Sequence, residues 1–166
     1  MTMGNSWSYV PDDTYKQAID IVHTLIKIVS RGGNYLLNIG PGPHGDWDPD
    51  AYDPLKAVGE WMALNGEGIY ATRAVGPYSE GRKYYTRGKD DSATYVFDLS
   101  ETEKVELPAT IRLTAPEGRP VKQIELLGVG KLRFKQTGDS LEISIPENKR
   151  SPTHLRYAAT FKLVHQ

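Results

Sequence analysis

The segment Gly32-Gly33-Asn34-Tyr35-Leu36-Leu37-Asn38-Ile39-Gly40-Pro41 combines a helix stop, a short apolar run and a tight loop. Gly32 and Gly33 end a preceding helix, because glycine adopts the left-handed cap conformation at little cost. The run Tyr35 to Ile39 predicts a short buried strand, and such a strand after a helix is typical of a parallel barrel sheet. Gly40-Pro41 cannot continue that strand, so the chain must enter a loop there.

Helices are predicted on both sides of this segment. The first is expected over 12–30, because Asp12 suits the positive end of a helix dipole. A second helix is predicted over 51–65, with Asp48 or Asp50 as its cap. Apolar residues recur at helical spacing in the first helix and give it one apolar face: Ala18, Ile21, Val22, Leu25, Ile28 and Val29.

Beyond about residue 75 the pattern changes to short strands. Three segments alternate polar and apolar residues strictly, which places one face on a core and the other in water. Breakers that contain Gly or Pro separate the runs, so the pattern predicts an antiparallel β-sandwich. The alternating segments are 110–113, 131–134 and 140–145, and further strands are expected at 84–85, 94–97, 121–127 and 160–164.

Composition excludes several classes of function. Lys and Arg number 20 and Asp and Glu 21, a net charge of -1 that argues against nucleic-acid binding. No run of about 18 apolar residues occurs, so no membrane span is predicted. The absence of cysteine excludes a disulfide framework, a thiol nucleophile and a thiolate metal site.

Two motifs resemble those of a known enzyme family. Ser6-Trp7-Ser8-Tyr9 is similar to a Ser-Trp-Gly-Tyr element of the glycoside hydrolase family 29 α-L-fucosidases. In that family a helix and then a strand and turn similar to Gly32 to Pro41 follow this element. The resemblance continues through Trp61 and through Asn65 to Tyr70. The chain departs from the family at Ser8, where the family carries glycine.

The resemblance implies an α/β fragment of a (β/α)8 barrel over residues 1–73 and an all-β antiparallel sandwich over residues 74–166. A complete barrel needs roughly 250 residues, which exceeds the 166 of this chain. The resemblance implies a retaining α-L-fucosidase whose nucleophile Asp and acid/base Glu lie upstream of the first motif. Only Met1 to Asn5 precede that motif, and none of them is acidic. We therefore expect no catalytic residue in this chain and no activity of the chain alone.

The implied substrate is a fucoside or a fucosylated glycan, and neither a metal nor an organic cofactor is implied. A lone parallel strand leaves apolar side chains exposed, so the expected partner is the upstream catalytic segment or a second copy of the chain. The segment Met1 to Gly4 lacks the basic and apolar regions of a signal peptide. If the parent enzyme is exported to the bacterial periplasm or medium, its signal peptide belongs to the upstream segment.

The candidate substrate-binding residues are Trp7, Tyr9 and Asn38. Aromatic rings stack on the apolar face of a sugar, and fucose offers a methyl-bearing face. Asn38 begins the loop at the carboxyl end of the predicted strand, where barrel enzymes build their active sites. The structural alternative for Trp7 is packing inside the barrel wall, and for Asn38 it is the shaping of a turn.

Other polar residues are predicted to have structural roles. His44 and Asp46 lie in a loop rich in Gly and Pro, which favours solvent exposure over a metal site. Glu60 and Glu67 do not follow a barrel strand, so neither is expected to be catalytic. In the family the segment that contains Glu67 is a structural join.

Two alternatives to a fucosidase fragment follow from the second half of the chain and from its first strand. The β-sandwich would be a carbohydrate-binding module if its tyrosines formed an aromatic platform: Tyr78, Tyr84, Tyr85 and Tyr95. The chain would instead be an inactive remnant if its barrel part were buried only by self-association.

Overall fold

The computed structural model describes residues 1–166, which form two helices packed on a curled antiparallel sheet. Helix α1 spans Ala18–Val29 and helix α2 spans Pro49–Asn65, and the 3-10 turn Gly66–Gly68 leads from α2 into the sheet. Neither helix is long and apolar enough to cross a membrane. The strands are β1 (Thr72–Glu80), β2 (Lys83–Gly88), β3 (Ala93–Lys104), β4 (Thr110–Thr114), β5 (Val121–Leu126), β6 (Gly130–Thr137), β7 (Ser140–Ser144) and β8 (Arg156–His165).

The strands follow the order β1-β2-β3-β8-β5-β6-β7-β4, and all neighbours are antiparallel. Strand β6 is the corner of the sheet. Its Leu132 pairs with Ile124 of β5, whereas its Phe134 pairs with Ile143 of β7. The chain therefore passes from one layer to the other within a single strand, and the two ends of the sheet face each other.

The main core fills the space between the two layers. Tyr85, Val96 and Phe161 enter it from the larger layer, and Leu113 and Ile143 enter it from the smaller one. All five are buried. The strict alternation in β4 and β7 reflects this packing, because only one face of each strand meets the core.

A side-chain clasp joins the two edge strands of the sheet. The Tyr85 hydroxyl donates a hydrogen bond to Oε2 of Glu80 on β1 at 2.6 Å. The Thr114 hydroxyl on β4 donates to the other oxygen of Glu80 at 3.0 Å. Glu80 thus ties the first strand in the sheet order to the last one.

The helices cover the outer face of the larger layer. Trp61 of α2 lies against Phe97 of β3, with ring centroids 6.2 Å apart, and Val22 and Ile26 of α1 belong to the same cluster. Val96 and Phe97 point to opposite faces of β3, yet both are fully buried. The central strands are therefore covered on both sides, which explains why the first five residues of β3, Ala93 to Phe97, are all buried without alternation.

The predicted fold class is confirmed: a helical α/β part precedes an antiparallel β part. The expected strands of the second half are all present, and the predicted end of α2 at Asn65 is correct. Strand β1 was not predicted by the alternation pattern. The proposed domain boundary between residues 73 and 74 stays a prediction, and it falls inside β1 (Thr72–Glu80).

The predicted start of the first helix is wrong by six residues, because α1 begins at Ala18 rather than at Asp12. The preceding residues bind the amino-terminal segment instead. The Asp13 carboxylate accepts hydrogen bonds from the backbone and side-chain nitrogens of Asn5 at 2.9 and 2.7 Å. The Lys16 amide donates to the Met3 carbonyl at 2.9 Å. These contacts are incompatible with a continuous helix through the same backbone.

The predicted buried strand over Tyr35–Ile39 is only partly formed. This segment is joined to Met1–Met3 in parallel orientation by a single bridge between Thr2 and Asn38. The Met3 amide donates to the Asn38 carbonyl at 2.8 Å. Leu36 was expected to be buried but is 64% exposed, because the paired segment lies along one side only.

The proposed tyrosine platform on the sheet is wrong. Tyr84 and Tyr95 face the helices, and Tyr85 lies in the main core. All three are buried, so of the four tyrosines only Tyr78 is exposed. The platform fails because both faces of these strands are covered, which removes any open row of rings.

Replacement of Trp61 by alanine should lower the free energy of unfolding by about 3–5 kcal/mol, since a large side chain is removed from a closed core. The variant Tyr70→Ala is the matched control, because Tyr70 is exposed and should change stability little. Urea melts of both variants test this. Equal melts for the two variants would show that the contact between Trp61 and Phe97 does not hold the helices on the sheet.

Stability should fall as the pH drops below about 6.5, in part because of His23. Its Nε2 donates to the Tyr157 carbonyl at 2.8 Å. Burial lowers the pKa of His23 below its ordinary value of 6.5. The unfolded chain therefore takes up a proton at a higher pH than the folded chain, which favours unfolding. His165, whose pKa burial also lowers, adds to this slope.

Urea melts between pH 7.5 and 5 measure this dependence. His23→Gln keeps a side-chain N–H for the Tyr157 carbonyl and removes the titration, so its stability should decline less steeply. An unchanged slope in this variant would contradict the assignment to His23.

Candidate substrate site at the ends of the parallel segments

Two loops leave the same end of the paired parallel segments. The segment Met1–Met3 leads into the loop Gly4–Val10, which we call the first loop. The segment Tyr35–Asn38 leads into the loop Ile39–Trp47, the second loop. Because parallel strands have their carboxyl ends at one edge, the two loops lie side by side. In (β/α)8 barrels this edge carries the active site.

The two loops contact each other through their backbones. The Asn38 side-chain amide donates to the Trp7 carbonyl at 2.9 Å. A Cβ atom placed on Gly40 would lie 2.5 Å from the Tyr9 nitrogen and 2.7 Å from the Ser8 carbonyl carbon. Only glycine allows this approach, so Gly40 lets the second loop pack directly on the first. The structure thus brings Trp7, Tyr9 and Asn38 together.

The three predicted substrate residues differ in their surroundings. Trp7 is 62% exposed in this chain. Tyr9 is half-buried. The Asn38 amide binds the Trp7 carbonyl and so holds the first loop in place. Direct contact of any of the three with substrate stays a prediction.

Asp13 fixes the base of the first loop. Besides its two bonds to Asn5, its carboxylate accepts the Thr14 amide at 2.8 Å. These hydrogen bonds, above all the one from the Asn5 backbone, lower the pKa of Asp13 below its ordinary value. A Cβ on Gly4 would lie 2.2 Å from the same carboxylate. Asp13 is therefore an ionised structural anchor, and no signal in the sequence indicated this contact.

A backbone hydrogen bond closes the second loop, and the N-cap of α2 follows the loop directly. The Gly42 amide donates to the Asp46 carbonyl at 2.6 Å. The Asp48 side chain accepts the Asp50 amide at 3.0 Å, which confirms Asp48 as the cap of α2. His44 and Asp46 are exposed. No group of three or more His, Cys, Asp or Glu residues is placed to hold a metal ion.

Glu67 joins the helical part to the sheet. Its carboxylate accepts from Lys162 Nζ at 2.6 Å and from the Tyr95 hydroxyl at 3.1 Å. Burial and the Glu67 charge raise the pKa of Tyr95, so its hydroxyl stays a donor. Glu67 is thus engaged on the sheet, as expected for a structural join. Glu60 lies exposed on α2.

Comparison with known families accounts for both parts of the chain. The family "Alpha-L-fucosidase" matches residues 1–67, and the family "Alpha-L-fucosidase C-terminal domain" matches residues 79–164. The chain therefore belongs to the α-L-fucosidase family, glycoside hydrolase family 29.

Curated relatives and solved structures agree with this membership. The chain is 35% identical to the tissue α-L-fucosidase of Rattus norvegicus and 34% identical to that of Homo sapiens, over 96% of its own length in both cases. Its fold matches α-L-fucosidase isoenzyme 1 from Paenibacillus thiaminolyticus with a TM-score of 0.81 and 27% identity, over 100% of this chain and 39% of that one.

A second structure with a TM-score of 0.81 is a covalent intermediate of a family 29 α-L-fucosidase from Bacteroides thetaiotaomicron, trapped with 2-fluoro-fucosyl fluoride. That match has 27% identity and covers 100% of this chain and 37% of that one. The chain spans about a third of the length of these relatives, since it covers 35% of the rat enzyme and 34% of the human one.

Replacement of Gly40 by alanine should separate the two loops. The added methyl group collides with the Tyr9 backbone, and overpacking of this kind costs about 1–3 kcal/mol. The NMR signals of the Trp7 indole and of the Asn38 side-chain amide should both shift.

Gly59→Ala in α2 is the control, because a Cβ there has open space. It should raise stability by about 1 kcal/mol through helix propensity. Unchanged Trp7 and Asn38 signals in Gly40→Ala would refute the close contact between the loops.

Proposed function

We propose that this chain is the carboxyl-terminal part of a retaining α-L-fucosidase and that its two loops line the fucose pocket. The observation that carries the proposal is the joining of the loops by Asn38 and Gly40 at the carboxyl end of paired parallel segments, in a member of this family. The covalent intermediate trapped in the Bacteroides thetaiotaomicron relative supports a retaining mechanism.

In this proposal the chain supplies binding surface, while carboxylates on upstream barrel strands supply the chemistry. Retaining glycosidases use one carboxylate to attack the anomeric carbon and a carboxylic acid to protonate the leaving oxygen. Water then releases the sugar with the second group acting as base. The exposed ring of Trp7 would stack on the apolar face of fucose, with Tyr9 beside it.

Asn38 would act as a positioning residue, because its amide already binds the Trp7 carbonyl. Fixing the first loop places the Trp7 ring before substrate arrives, so less conformational freedom is lost on binding.

The chain alone should not hydrolyse 4-nitrophenyl α-L-fucoside, whereas a full-length enzyme that contains it should. In that enzyme Trp7→Ala should lower kcat/KM by about 10- to 100-fold, which corresponds to stacking of about 1–3 kcal/mol. In the isolated chain the melting temperature of Trp7→Ala should change little, since Trp7 is exposed there.

Trp61→Ala is the control, because it removes a buried ring far from the loops and should act on stability instead. Turnover by the isolated chain would refute the assignment of the chemistry to upstream residues. A large decrease in the melting temperature of Trp7→Ala, with kcat/KM unchanged, would show that Trp7 packs in the fold and does not bind substrate.

We also propose that the isolated chain associates with itself through the open side of the parallel segments. Leu36 is 64% exposed there, and the neighbouring Met1 is also exposed. Light scattering on the chain should therefore show a species larger than a monomer. Leu36→Lys should shift the chain towards monomer, whereas Tyr78→Lys on β1 should not. A monomer across a wide concentration range would contradict this proposal.

A further inference from the structure

We propose that Trp47 and Tyr52 form a binding platform for the sugar on the leaving-group side of an α-L-fucoside. We call these two residues the outer aromatic pair. The inference rests on the proposed function, because it extends the same site outward from the fucose pocket. It assigns a role to two residues outside the three candidate substrate-binding residues Trp7, Tyr9 and Asn38.

The outer aromatic pair is exposed and its two rings touch. Trp47 is 39% exposed and Tyr52 is 50% exposed. Their ring centroids are 5.7 Å apart with the planes tilted by 44°. Neither ring enters a hydrophobic core of the molecule. Two large rings in contact at a surface fix each other's orientation, and such rings offer apolar faces that bind ligands at little conformational cost.

The start of α2, which carries Tyr52 and directly follows Trp47, is fixed by a buried residue and by a helix cap. Ala51 is fully buried against Met3 and Ile21, which orients the first turn of α2. Tyr52 follows Ala51 directly and is therefore turned outward. On the other side Asp48 caps the helix with a hydrogen bond to the Asp50 amide at 3.0 Å. The pair thus extends from a fixed helix start.

The outer aromatic pair is continuous with the loops of the candidate site. Trp47 ends the second loop, which packs on the first loop through Gly40. A Cβ on Gly42 would lie 3.7 Å from the Tyr9 ring, so the two loops also touch farther along the second loop. The Gly42 amide closes this loop on the Asp46 carbonyl at 2.6 Å. Trp47 follows that closure immediately.

The position of the outer aromatic pair favours contact with the leaving-group sugar rather than with fucose. In a (β/α)8 barrel the helices form the outer ring, and residues directly after the strands lie nearer the axis. Asn38 is the last residue of its parallel segment, whereas Tyr52 lies on α2. A fucose held between the axial carboxylates and the first loop would direct its glycosidic bond outward. The next sugar would then reach the rings of the outer aromatic pair.

Two substrates with different leaving groups test this inference in the full-length enzyme. α-L-fucosyl fluoride has a leaving group without an apolar face, whereas α-L-fucosyl-galactose presents a sugar ring. Trp47→Ala and Tyr52→Ala should each lower kcat/KM for the disaccharide by about tenfold, the size expected for loss of one stacking contact. Tyr52→Ala should leave hydrolysis of the fluoride within about twofold of the parent enzyme, because Tyr52 lies on α2 outside both loops. Trp47→Tyr keeps an aromatic face and should retain most of the activity on the disaccharide.

Tyr70→Ala is the matched control, because Tyr70 is exposed beyond the carboxyl end of α2, away from the loops. Thermal melts establish that each variant is folded, and Trp47→Leu replaces Trp47→Ala if the latter is not. Equal losses on both substrates, or no loss on either, would overturn the inference while leaving the proposed function intact. A parent enzyme that hydrolyses neither substrate would overturn the proposed function and the inference together.

Discussion

The close packing of the turn after α2 on strand β3 holds the two parts of the molecule together. A Cβ on Gly68 would lie 2.7 Å from the Phe97 ring, so glycine is required there. The Gly68 carbonyl accepts the buried Thr86 hydroxyl at 2.7 Å. Glu67 adds an ion pair with Lys162, partly shielded from solvent. The carboxyl end of α2 is thereby fixed on the sheet, so the second loop, which precedes α2, also has a defined position.

The regular elements could be predicted from the sequence because they depend on local periodicity. Strands β4 and β7 alternate cleanly, since each has one face in water. Strands β2 and β3 gave a weaker signal, because both of their faces are covered and polar residues do not mark an outer side. For that reason the sequence does not distinguish tyrosines on an open face of these strands from tyrosines that are covered. Whether a ring is open or covered depends on helices distant in the sequence.

In the candidate site, too, the residues could be predicted from local motifs, whereas the contacts between distant segments could not. Trp7, Tyr9 and Asn38 were found through motifs that resemble a family, and the loops that carry them do meet. The contacts that set the loop positions were not predictable, because Asn5 binds Asp13 across a turn without a regular pattern. The pairing of Met1–Met3 with Tyr35–Asn38 was missed because three residues are too few to show a period.

The hydrogen bonds of the clasp at Glu80 affect which surfaces are open to contacts between copies of this chain. An open sheet edge offers unpaired backbone groups to any other chain, which leads to growth without a limit. Here Glu80 of β1 binds Thr114 of β4, so the two edges are turned towards each other across the curled sheet. The exposed apolar surface at Leu36 belongs to a different part of the molecule. Contacts between copies through that surface would therefore leave the sheet edges outside the interface and would not lengthen the sheet strand by strand.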